Sequence, residues 1–120
     1  MANRYNTGDS DNRPWGSWLV IDSGPRHCTK RIAVNPGGKL SLQLHHQRDE
    51  HWIVVEGVAQ VTLDDETFDL RENDSIFIPR GMKHRLVNQT DDPVVVIETQ
   101  VGSVLDENDI IRLQDDYNRL

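Results

Sequence analysis

At 120 residues the chain is one domain's worth, long enough to bury most of its apolar surface around a single core. Its hydrophobic fraction of 36% is low and its charged fraction of 28% ordinary, which predicts a soluble protein with a modest core. A formal charge of −7 argues against nucleic acid or an anionic membrane as partner, because both need a basic surface; a phosphorylated small molecule needs only a few local cations.

In chain order, residues 1–13 are polar, rich in Asn, Asp, Gly and Ser, and predict a flexible arm ahead of one domain over 14–120. The stretch lacks the apolar core of a signal peptide, and no segment approaches a membrane span. Cys28 is the single cysteine, so no intrachain disulfide can form, and the expected setting is the reducing cytoplasm with Cys28 as a small packing residue. Trp18–Ile21 is the first strand-like run. A second, Cys28–Val34, places Lys30, Ile32 and Val34 on one face and Thr29, Arg31 and Ala33 on the other.

Asn35-Pro36-Gly37-Gly38 is a turn signal. Beyond it Leu40, Leu42 and Leu44 alternate with Ser41, Gln43 and His45, so Gln43 and His45 share a face that His46 does not. Glu50 follows a charged turn and, taken alone, reads as a surface acid; His51 has the opposite parity and is either exposed or a support for its neighbours. Trp52–Val55 closes on Gly57. Gln60–Leu63 and Thr67–Leu70 flank Asp64-Asp65-Glu66 as a hairpin, and Ser75–Ile78, Arg85–Gln89 and Val94–Thr99 complete a series of short strands. This spacing predicts an all-β sandwich or barrel. The tail over 105–120 predicts one short helix with Asp106 as its cap and Ile110, Ile111 and Leu113 as its apolar contacts. Gln43, His45, Glu50 and His84, the last just past the turn at Pro79, offer a mixed nitrogen and oxygen donor set. Such a set suits Zn, Mn, Fe, Co or Ni about equally.

The spacing of Gly37, Gln43, His45, Glu50 and Gly57 resembles the first motif of the cupins, with glutamine in place of a common histidine. Pro79, Gly81, His84 and Asn88 resemble the second. Asn73 stands where a glycine is usual, and asparagine tolerates the left-handed backbone such a turn requires. The strings RPWG (13–16), KRIAVNPG (30–37), LSLQLHHQRDEHW (40–52), IPRGMKHRL (78–86) and DIIRLQDDYNR (109–119) narrow the resemblance to type II phosphomannose isomerase. In most members of that family the cupin is the C-terminal part of a larger protein with an N-terminal mannose-1-phosphate guanylyltransferase; here the expectation is a free-standing domain.

The resemblance implies a small cupin jelly roll and a divalent metal held by Gln43, His45, Glu50 and His84, zinc first because phosphomannose isomerases are known as zinc enzymes. It implies interconversion of mannose 6-phosphate and fructose 6-phosphate, feeding nucleotide-sugar and polysaccharide synthesis. The proton-transfer candidates are Lys30, if burial lowers its pKa, and after it Glu50, whose basicity a metal would reduce. Arg13, Lys30, Arg31, Arg48 and Arg85 fall within the matching strings and are the cations available to a phosphate. By analogy with cupins the chain is expected to form a homodimer through its sheets. Two other readings stay open: another metal-dependent cupin enzyme, and a non-catalytic sugar-binding cupin or detached partner of a guanylyltransferase.

Overall fold

The computed structural model describes residues 5–105 and 108–117. They form eleven strands: β1 (Ser10–Arg13), β2 (Gly16–Ser23), β3 (His27–Val34), β4 (Leu42–Leu44), β5 (Arg48–Glu56), β6 (Ala59–Leu63), β7 (Glu66–Leu70), β8 (Ser75–Ile78), β9 (His84–Val87), β10 (Val94–Gly102) and β11 (Ile111–Gln114). Two antiparallel sheets, ordered β1-β2-β3-β10-β5-β8 and β11-β4-β9-β6-β7, face each other in the jelly-roll arrangement of the cupins. The described residues contain no helix, and therefore none long and apolar enough to cross a membrane.

Local chemistry accounts for the chain reversals. Asp64, at φ 50°, opens the two-residue turn between β6 and β7, and Asn73, at φ 74°, takes the left-handed position expected of it. Gly57, at φ 80°, joins β5 to β6 where any Cβ would collide with the Pro93 carbonyl. The β-branched runs of β3 and β5 then alternate, and β10 does so beyond its wholly buried start at Val94, Val95 and Val96. Ile32, Val34, Val54, Val61, Leu86, Val94 and Val96 pack together between the sheets, and Lys30 shares its inward face with Ile32 and Val34.

Two expectations require correction. Among its described residues the tail forms no helix: Ile111–Gln114 is a strand on the open edge of β4, with Arg112 paired to Gln43. Three apolar residues in that segment are too few for a helical stripe, whereas β4 offers unpaired backbone groups, and the strand leaves Ile111 and Leu113 exposed. The proposed cap, Asp106, lies outside the described residues. The arm is also partly ordered. Ser10–Arg13 pairs with Gly16–Leu19, and Tyr5 is 4% exposed in a small cluster with Val20, Cys28 and Leu105. Its polar composition hid one aromatic anchor and a backbone able to pair. Cys28 is a buried packing residue, as expected.

Candidate metal centre

Three side chains able to ligate a metal converge at one end of the barrel. His45 follows β4, Glu50 lies on β5 and His84 opens β9; their ligating atoms all fall within 4.8 Å of one another, and all three residues are buried. Gln43 is the direct cross-strand partner of His84. Its amide nitrogen donates to Ser41 Oγ at 3.1 Å, which leaves the amide oxygen as the atom able to accept or ligate.

The orientation of each imidazole is set by the backbone. His45 Nδ1 lies 2.6 Å from the Asp109 carbonyl and His84 Nδ1 lies 3.0 Å from the Met82 carbonyl. A carbonyl only accepts, so each Nδ1 carries hydrogen and each Nε2 is the atom available to a proton or a metal. Both Nε2 atoms face Glu50, His45 at 3.0 Å from Oε2 and His84 at 3.8 Å from Oε1. Two imidazole lone pairs and a carboxylate directed at one point require a positive charge there, so the donor set fits a divalent ion. Asp109 contributes doubly, its carboxylate accepting from the His46 and Gln47 amides at 2.9 Å each. The Gly81 amide, at φ 83°, donates to the His45 carbonyl at 2.7 Å and ties the two motifs together.

Glu50 is held from every side. Arg48 Nε donates to Oε2 at 2.9 Å and Trp52 Nε1 to Oε1 at 3.0 Å, while Arg48 Nη2 lies 3.3 Å from His45 Nε2. Burial alone would raise the Glu50 carboxyl, but the charges of Arg48, His45 and His84 hold it well below the carboxylate range. Burial lowers His84, against the pull of Glu50.

Next to this centre lies a second buried pair. Lys30 on β3 and Glu98 on β10 are cross-strand partners, and both line the same cavity. Burial lowers the Lys30 ammonium against the charge of Glu98; its Nζ sits 3.5 Å from the Tyr5 ring centroid and 4.6 Å from that of Trp18. Glu98 is pushed up to about 8 by burial, by the charge of Glu50 and by a hydrogen bond shared with Glu50. Gln100 donates to Glu98 at 3.2 Å. The cavity is open to solvent at its mouth and is lined by Lys30 and Glu98 together with His45, Glu50 and His84.

The remaining sequence candidates divide. Arg48 lines the cavity but its guanidinium serves Glu50. Arg85 lines it while donating to the Leu40 carbonyl and to Asp116, each at 2.7 Å. Arg13 lines it too, paired with Asp11 at 3.2 Å. Arg31 is exposed on the outer face of β3 and does not line the cavity, since strand parity separates it from Lys30. His46 and His51 are exposed, and the His51 ring lies 4.8 Å from Phe77 outside the barrel. Glu98, Gln100, Asp109 and Arg112 were missed. For Glu98 and Gln100 a signal was present, since they continue the inward face of Val94 and Val96. For Asp109 and Arg112 the signal was their place in the matching string over 109–119, and a helical reading of the tail hid it by scattering them.

Comparison with known proteins bears on the family and the fold. Residues 2–115 match the family model described as mannose-6-phosphate isomerase C-terminal. The chain is 56% identical over 107 residues to the alginate biosynthesis protein AlgA of Pseudomonas aeruginosa, covering 89% of this chain and 22% of that protein. It is 49% identical over 108 residues to the mannose-1-phosphate guanylyltransferase ManC of Salmonella typhimurium, covering 90% and 22%. The chain thus spans about a fifth of the length of these relatives. Among solved structures, the oxalate decarboxylase of Lactobacillus farciminis superposes with a TM-score of 0.76 at 23% identity, over 88% of this chain and 33% of that one, which is a likeness of fold.

Proposed function

The chain belongs to the mannose-6-phosphate isomerase C-terminal family, and on that footing we propose that it is a metal-dependent isomerase interconverting mannose 6-phosphate and fructose 6-phosphate. The observation that carries this reading is the buried His45, Glu50 and His84 cluster opening on a cavity that also holds Lys30 and Glu98. The reaction moves a proton from C2 of the open-chain aldose to C1, while the hydroxyl hydrogen on O2 passes to O1. Gln43, His45, Glu50 and His84 would hold a divalent ion, which would supply charge stabilisation at the reacting oxygens.

The chain's own residues supply the rest. Glu50 has its oxygens committed to Arg48, Trp52 and the imidazoles, so it anchors the centre and is poorly placed to carry a proton. Lys30 and Glu98 are better suited. One ammonium whose pKa burial lowers and one carboxyl held at about 8 are cross-strand neighbours, and the Glu98 carboxyl can take and return a proton near neutral pH. Trp15, Trp18 and Leu40 line the same cavity and limit water around the reacting carbons.

The test is isomerisation of mannose 6-phosphate, read as fructose 6-phosphate, on protein stripped of metal and reloaded in turn with Zn, Mn, Co, Ni or Fe. Turnover restored by one ion, and abolished with tight metal binding in His84→Ala, is the expected result. Full activity in metal-free His84→Ala would reject it. One observation favours a second reading: the relatives are about five times longer than the matched segment, and one is named for guanylyl transfer. A binding domain serving a guanylyltransferase would show thermal stabilisation by mannose 6-phosphate without turnover.

A further inference from the structure

We infer that Arg112 is the anion-binding residue of this cavity, placed to hold the phosphate of a sugar phosphate whose reacting end lies against His45, Glu50 and His84. The inference rests on the sugar-phosphate reading above and adds the residue that selects for the phosphate.

Five basic side chains line the cavity: Arg13, Lys30, Arg48, Arg85 and Arg112. Four have protein partners. Arg13 pairs with Asp11, Lys30 lies over Tyr5 and Trp18, Arg48 is bonded to Glu50, and Arg85 is bonded to Leu40 and Asp116. Arg112 differs. Its Nε is buried and, among the described residues, has no hydrogen-bond partner. A guanidinium carries only donors and stays charged, so a sequestered N–H that the protein leaves unmet is a donor suited to a ligand acceptor.

Its position fits the same role. Arg112 pairs with Gln43 across β11 and β4, and Gln43 pairs with His84 across β4 and β9. Arg112 thus lies two strand spacings, about 10 Å, from the backbone of a metal-ligating histidine. That interval is of the order separating the reacting carbons of an extended hexose from a phosphate on its sixth carbon. The planar fork matches phosphate oxygens in pairs, which a lysine at the same place would not. From the opposite sheet, Gln100 Oε1 is likewise buried without a partner and lines the cavity, an acceptor suited to a sugar hydroxyl.

The experiment titrates inorganic phosphate, mannose 6-phosphate, mannose and a uronate into the full chain by calorimetry, comparing the native protein with Arg112→Gln and Arg112→Lys. Thermal melting checks the fold and metal analysis checks the centre. The expected result is a loss of tenfold or more in affinity for phosphate and mannose 6-phosphate in Arg112→Gln, partial recovery in Arg112→Lys, and no change in mannose binding or metal content. Should Arg112→Gln fail to fold, Arg112→Lys carries the test through a severalfold loss confined to the phosphorylated ligand. Unchanged phosphate affinity in the folded variants overturns the inference, as does a native protein that binds the uronate through Arg112 and ignores phosphate. Phosphate binding that depends on Arg112 without any isomerase turnover would uphold this inference and remove the isomerase reading. Turnover with an unchanged KM in Arg112→Gln would do the reverse.

Discussion

The barrel interior has two halves built on the same strands. Along β5 the inward positions run Arg48, Glu50, Trp52, Val54; along the antiparallel β10 they run Val94, Val96, Glu98, Gln100; along β3, Lys30 gives way to Ile32 and Val34. Register therefore stacks Val54, Val96 and Ile32 at one end and Glu50 and Gln100 at the other. One alternation buries both sets, yet what holds them differs. The dry half is stabilised by removing apolar surface from water and by close packing. In the charged half each buried group must instead be satisfied individually, and Glu50 is satisfied by Arg48, Trp52 and the imidazoles.

Substitutions should separate the halves. The largest effect is expected at the charged end: Glu50→Gln removes the carboxylate to which buried Arg48 donates, a loss of about 3–5 kcal/mol in the metal-free protein. Thermal melting with metal analysis should show lower stability together with lost metal binding. A variant that melts like the native protein would erase the distinction between the halves.

In the dry half, Leu86→Ala removes a side chain that is 1% exposed and two residues from His84 on the same inward face. The expected cost is about 2–5 kcal/mol from transfer and cavity terms, with divalent-metal affinity unchanged. Chemical denaturation and a metal-binding isotherm on the same sample check both parts. Reduced metal affinity would mean that the dry half also positions the ligands.

The remaining effect is a pH dependence. Glu98 is held at about 8 against an ordinary 4.5, so between those values the folded protein keeps a proton that the unfolded chain releases. Its stabilising contribution is complete below about 4.5 and is lost as pH rises through about 8. Glu50, held well below 4.5, works in the opposite sense: its contribution is present above 4.5 and is lost as pH falls through its folded value. Metal-stripped protein should therefore melt highest between the two limbs. Glu98→Gln should flatten the alkaline limb while leaving the acid limb in place, and an unaltered alkaline limb would remove Glu98 from the account.

Much of this was legible without coordinates because it depends on local rules. The left-handed turn at Asn73, the inward face of Lys30, Ile32 and Val34, and the hairpin from β6 to β7 each follow from a few neighbouring residues. The spacing of Gly37, Gln43, His45, Glu50 and Gly57 encodes a strand, a turn and a return strand, which is enough to bring His45 near Glu50. Arg31 shows the limit of reading by motif. It lies inside a matching string, yet its parity sends it to the outer surface.

The sequence by itself determined the all-β class, since period-two burial and turn chemistry act over a few residues at a time, and through the resemblance its strings carry, it pointed to the family and to His45, Glu50 and His84 as residues that converge. Tertiary structure alone decided which groups surround them. Glu98 meets Lys30 because β10 inserts between β3 and β5; Asp109 holds His45, and Arg112 reaches the cavity, because the tail takes the open edge of β4. Pairing across such sequence separations depends on which strand edge remains to be satisfied once the rest of the sheet has formed, and no local pattern in the tail states that.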